Sequence, residues 1–125
     1  MAVLVDTSVW VAHFRERNPH LQNLLERDDV LIHPIVLGEI ACGTPPDRAT
    51  VLAALRELRP AMAASIEETL CMIERHHLYG QGCGIADMLL LAATLMTPGA
   101  TLWTLDKRLA AHALTLGAAY QPPIH

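Results

Sequence analysis

The sequence is short of cysteine, has no excess of basic charge, and lacks an apolar run long enough to cross a bilayer. Cys42, Cys71 and Cys83 are odd in number, widely spaced and form no CxxC pair. That argues against a disulfide framework or a zinc site and leaves reduced thiols, with a cytoplasmic location expected. The longest apolar stretch, around residues 88–96, is too short for a membrane span and is closely preceded by Asp87. The N-terminus lacks a basic segment, and Asp6 interrupts its apolar run, so it does not read as a signal peptide. Repeats, low-complexity tracts and interdomain linkers are also missing, which predicts one domain over residues 1–125.

What is present is a core-forming composition. Hydrophobic residues make up 52% and charged residues 18% of the chain, proportions of a globular protein rather than a disordered one. The net charge of −4 comes from 13 acidic and 9 basic residues. If four carboxylates converge on one site, 9 acidic residues remain against 9 basic ones. A divalent metal would offset the clustered charge locally. Charge therefore does not exclude RNA, but it supplies no basic footprint either.

Val3-Leu4-Val5 has no polar alternation and predicts a strand buried on both faces, as in a parallel sheet. Thr7 or Ser8 is placed to cap a helix to about Arg17, and Asn18 to cap a second one ending near Arg27. Val30-Leu31-Ile32 reads as a second strand, and Pro34 opens a helix to about Cys42. Asp47 to Leu58 is a further helix, closed by Arg59-Pro60, and Ser65 caps the next, which ends at Arg75-His76-His77. The paired histidines read as a helix end in solvent. Ile85 to Met96 is a strongly apolar helix, Ala100 to Thr104 a strand, Asp106 to Leu116 a helix, and Ala118-Ala119-Tyr120 a last edge strand. Alternating strands and helices imply an α/β domain with a mostly parallel sheet.

Four carboxylates stand out. Asp6 ends the first strand, where ligands bind in open α/β sheets, though singly it reads as a capping or turn residue. Glu39 shares a helical face with Ile35, Val36 and Cys42, where a carboxylate is costly unless it is paired, binds a cation or reaches solvent at the edge of the face. Asp87 is the lone charge of the apolar helix and sits in its first turn, where the helix dipole alone would favour it. Asp106 follows the Leu102-Trp103-Thr104 strand as Asp6 follows the first, and helix initiation accounts for it singly. All four are expected at one edge of the sheet, where they cannot all ionise without a cation. Hard oxygen ligands select magnesium or manganese, and such a cluster suits metal-assisted phosphodiester hydrolysis.

These residues also carry a family likeness. The segments Val5-Asp6-Thr7-Ser8-Val9-Trp10, Leu37-Gly38-Glu39-Ile40, Ile85-Ala86-Asp87 through Thr94, and Thr104-Leu105-Asp106-Lys107-Arg108-Leu109 occur in order over essentially the whole chain. Together they resemble the PIN-domain ribonucleases, and most closely the VapC-type toxins of bacterial toxin–antitoxin pairs. The resemblance implies a three-layer α/β/α fold and Mg2+- or Mn2+-dependent cleavage of RNA that leaves 5′-phosphate and 3′-hydroxyl ends. It also implies inhibition by a cognate antitoxin, homodimer formation, and DNA contact only through the antitoxin. By motif match it makes Asp6, Glu39, Asp87 and Asp106 the catalytic metal ligands, with Thr104 holding the site by hydrogen bonding. Lys107 and Arg108, and from another edge Arg15 and Arg17, are candidates to meet substrate phosphates, although each singly is more often a solvated surface charge. Trp10 reads as core rather than a stacking platform, and Gly80, Gly82 and Gly84 as a turn into the Asp87 helix.

Other classes fit less well. A PIN-like interaction module whose acids no longer catalyse is the alternative, with the intact set of four counting against it. A dehalogenase-type phosphatase would want a second aspartate where Ser8 stands, and a receiver domain would want an acidic pair before its acceptor.

Overall fold

A computed structural model describes residues 1–123. Its elements run β1 (Ala2–Val5), α1 (Thr7–Arg15), α2 (Pro19–Glu26), β2 (Val30–Ile32), α3 (Pro34–Ala41), α4 (Arg48–Arg56) and β3 (Arg59–Pro60). They continue through α5 (Ile66–Arg75), α6 (Ile85–Met96), β4 (Ala100–Trp103) and α7 (Lys107–Thr115). The four strands form one parallel sheet in the order β3-β2-β1-β4, within a three-layer α/β/α architecture.

β1 is central because nothing in it needs water. Val3, Leu4 and Val5 are fully buried, and the strand pairs with β2 on one side and β4 on the other. From β1 the chain winds outward through β2 to β3, then returns to place β4 on the opposite side of β1. The order therefore reverses between β1 and β4, and the crevice at the carboxyl ends of those two strands is where such a sheet offers a site.

α6 is the other organising element. Met88, Leu90, Leu91, Ala92, Ala93 and Thr94 are buried on it, and it packs against β4, α3, α5 and α7. Its buried Thr94 hydroxyl is satisfied by the Leu90 carbonyl at 2.8 Å. Predicted caps at Asn18 and Ser65 are present: Asn18 Oδ1 accepts from the His20 and Leu21 amides, and Ser65 forms a reciprocal capping box with Glu68. α3 is capped by His33, whose Nδ1 accepts from the Ile35 amide at 3.0 Å.

Four expectations are corrected. Arg59-Pro60 does more than end a helix: it pairs in register with Leu31 and Ile32 as the edge strand β3. Proline is tolerated there because an edge strand leaves one side of its backbone unpaired. The cap position of α1 is Asp6, not Thr7 or Ser8, and both hydroxyls are spent on carboxylates instead. α1 also stops at Arg15, where Glu16 turns extended. The expected last strand is reduced to a single parallel bridge between Leu102 and Ala119.

Candidate active site

The β1–β4 switch point is built from two similar strand ends. Asp6 leaves β1 with its amide bonded to the Trp103 carbonyl of β4 at 2.9 Å, which sets the two chain exits side by side. Asp6 is 7% exposed, and its Oδ2 accepts two hydroxyl bonds, from Ser8 and from Thr104, each at 2.7 Å. Both hydroxyls are themselves held: Ser8 Oγ accepts from the Leu105 amide at 3.1 Å, and Thr104 Oγ1 from the Asp106 amide at 3.1 Å. One carboxylate oxygen is thus fixed and the other, Oδ1, is left without a protein donor among the described residues.

Asp106 repeats the arrangement. Its Oδ1 caps α7 by accepting from the Arg108 and Leu109 amides, so the helix-initiation role is real, while Oδ2 has no donor among the described residues. Asp87, in the first turn of α6, accepts a 3.3 Å bond from the Gly84 amide through Oδ2. Burial pushes its carboxyl above the ordinary range, the Gly84 amide pulls it partly back, and the charges of Asp6, Asp106 and Glu39 push it up further. Asp87 thus feels the charges of the other three acids.

Glu39 reaches solvent at the edge of the apolar face, one of the settings its spacing allowed. Val36 and Ile40 form the buried face of α3, and Glu39 lies about 60° round the helix from Val36 and is exposed. Its Oε1 accepts from Thr7 Oγ1 at 2.7 Å. Glu39 also lines a groove of about 400 Å³ with Phe14, Arg15 and Pro45, which brings Arg15 to the same side of the molecule.

Lys107 and Arg108 are exposed at the start of α7. Arg108 lies over Gly82, which has φ +88°, so tightly that a Cβ there would collide with the guanidinium. Burial pushes the Cys83 thiol up, Asp87 and Asp106 add to this, and the Arg108 charge offsets it in part. The glycine loop thus delivers Asp87 on one side and seats Arg108 on the other. Trp10 is buried, as a core residue should be.

Hard, anionic oxygens that repel one another fit a divalent cation chemically. As they stand, however, no group of three or more His, Cys, Asp or Glu side chains among the described residues is placed to hold a metal ion. What the motif reading missed is the role of Ser8. Its signal was the pair of hydroxyl residues directly after a strand-ending aspartate.

The pattern that defines the PIN domain matches residues 3–114. This chain belongs to the PIN-domain family. Relatives named Ribonuclease VapC32, from two strains of Mycobacterium tuberculosis, are 39% identical over 117 residues, covering 94% of each chain. The fold resembles that of VapBC-1 from nontypeable Haemophilus influenzae, with a TM-score of 0.70 at 13% identity, covering 98% of both chains. A PIN domain accounts for the parallel sheet and its switch point.

Proposed function

We propose that the chain, as one PIN domain, is a divalent-metal-dependent endoribonuclease and the toxin half of a toxin–antitoxin pair. The observation that carries this reading is the division of labour at Asp6: two hydroxyls hold Oδ2 and leave Oδ1 for a ligand. The ribonuclease name of the 39%-identical relatives supports the same activity. Asp6, Glu39, Asp87 and Asp106 would hold Mg2+ or Mn2+, and a bound ion would supply charge stabilisation and an activated water for phosphodiester hydrolysis. Ser8 and Thr104 orient Asp6, and Thr104 also fixes the start of α7 through the Asp106 amide. Arg108, braced by Gly82, and Lys107 offer cations to the RNA backbone beside the acids. A cognate antitoxin as inhibitor, a homodimer, DNA contact only through the antitoxin and a cytoplasmic location belong to the same reading. No helix among the described residues is long and apolar enough to cross a membrane.

A second reading, an interaction module with silent acids, draws on the absence of a preassembled metal cluster among the described residues. One experiment separates the two. Antitoxin-free protein is incubated with total bacterial RNA in Mg2+ or Mn2+, with and without chelator, beside a folded Asp6→Asn variant. The nuclease reading expects chelator-sensitive cleavage that falls by roughly 100-fold or more in the variant, beyond the usual effect of an outer-shell change. Intact RNA under every metal condition would favour the module.

A further inference from the structure

The first turn of α1 divides two neighbouring hydroxyls between two carboxylates. Ser8 gives its proton to Asp6, on the same chain segment, whereas Thr7 reaches across to Glu39 on α3 at 2.7 Å, 32 residues away. Successive helical residues point about 100° apart, so one turn can serve both acids. The reach is short because α1 and α3 pack directly together. Asp6 is buried and doubly held, and Asp106 and Asp87 are tied to backbone amides. Glu39 differs: it is exposed, has the longer side chain, and takes no other hydrogen bond among the described residues. An exposed glutamate loses much rotamer freedom when it becomes a ligand. A single hydroxyl restrains it here in advance.

We propose that Thr7 is a positioning residue that pins Oε1 of Glu39, leaves Oε2 free for a cation, and so sets how tightly the acid cluster takes a divalent ion. The inference rests on the metal-site reading above. It assigns to Thr7 a role distinct from that of Thr104, which acts on Asp6 and Asp106. The physical basis is the one that makes outer-shell partners matter at metal sites: orienting a ligand beforehand removes part of the ordering cost of binding.

Mn2+ binding to the full chain, followed by the loss of the free-ion paramagnetic resonance signal, tests this without RNA or turnover. Thr7→Val removes the hydroxyl at nearly constant shape and is expected to weaken Mn2+ binding roughly 10-fold. Thr7→Ser keeps the donor and is expected to bind as the native chain does. In a Glu39→Ala background, Thr7→Val should cost little more, because the acceptor it acts on is gone. Thr7→Ala repeats the comparison if Thr7→Val melts early, and urea melts accompany every variant. Unchanged Mn2+ affinity in Thr7→Val and Thr7→Ala would overturn the positioning role while leaving the nuclease reading intact. An undiminished loss in the Glu39→Ala background would overturn it equally, by showing that Thr7 does not act through Glu39. A native chain that takes up no Mn2+ would overturn both readings together.

Discussion

Asp87 is the residue at which the cost of gathering acids is most visible. Burial and three neighbouring carboxylates raise its proton affinity, and the Gly84 amide offsets this only in part. The folded chain therefore holds that proton to a higher pH than the unfolded chain does. Between the ordinary aspartate range and the raised value, the native state binds more protons, so stability falls as pH rises through that window. Below the unfolded pKa the protonated form carries no charge penalty, and above the folded value the whole penalty is present. Asp87→Asn should match the native chain in stability at about pH 3, if both remain folded there, and exceed it at about pH 8, with chelator present throughout. Urea melts across that range are the check, and parallel profiles for the two proteins would refute the strain. The position of Asp87 was legible from the sequence as the lone charge at the start of an apolar helix. Its elevated proton affinity was not, because that depends first on burial in the finished fold and then on three acids distant in the chain.

At the level of elements, strands and helices with strong apolar patterns were readable in advance, and those fixed by backbone pairing alone were not. β1 and α6 announce themselves because their burial leaves no room for polar residues. β3 has two exposed residues, Arg59 and Pro60, and exists only through its hydrogen-bonded register with β2. No side-chain signal marks it. Glu39 shows the complementary limit: spacing placed it with Ile35 and Val36, but the buried face of α3 centres on Val36 and Ile40. Which edge of an apolar face meets the core is settled by the neighbouring helices rather than by the helix itself. The loop before α6 was legible as a turn, yet its tight contact was hidden. Gly82 sits at φ +88° directly under Arg108, so an added side chain is strained by the backbone and would have to push the arginine aside. Gly82→Ala should destabilise the chain by about 1–3 kcal/mol, since the positive φ opposes any side chain there. It should also displace Arg108 and weaken RNA binding with a smaller salt dependence. Calorimetry and binding at two salt concentrations measure the two effects separately. Unaltered RNA affinity in a destabilised variant would remove Arg108 from the substrate surface while leaving the packing argument standing.

For the molecule as a whole, the switch in strand order decides where charge must collect. β1 and β4 end side by side, and each hands its chain to a helix through an aspartate. The chain has 13 acidic residues and a net charge of −4, and two of those acids, Asp6 and Asp106, stand at these strand ends while Asp87 feels the charges of both and of Glu39. Metal-free, the fold holds Asp87 as a carboxylate at a cost, through its burial and the charges of the other three acids. A divalent ion bound only by the native state would remove that cost and add its own binding energy. Linkage puts the gain at about 2.7 kcal/mol when the free ion stands at 100 times its Kd. For a domain of this size that corresponds to a rise of roughly 10 °C in Tm. Asp6→Asn should lose most of the rise, because it withdraws the ligand that both hydroxyls orient, while its metal-free Tm stays near the native value or above it. Melting both proteins in Mn2+ and in chelator, at matched ionic strength, separates a specific site from general screening. A rise of equal size in both would trace the effect to diffuse screening of a negative surface. No rise in the native chain would mean that the acids do not bind the ion, and the strand ends would then present charge to a partner instead of chemistry to a phosphodiester.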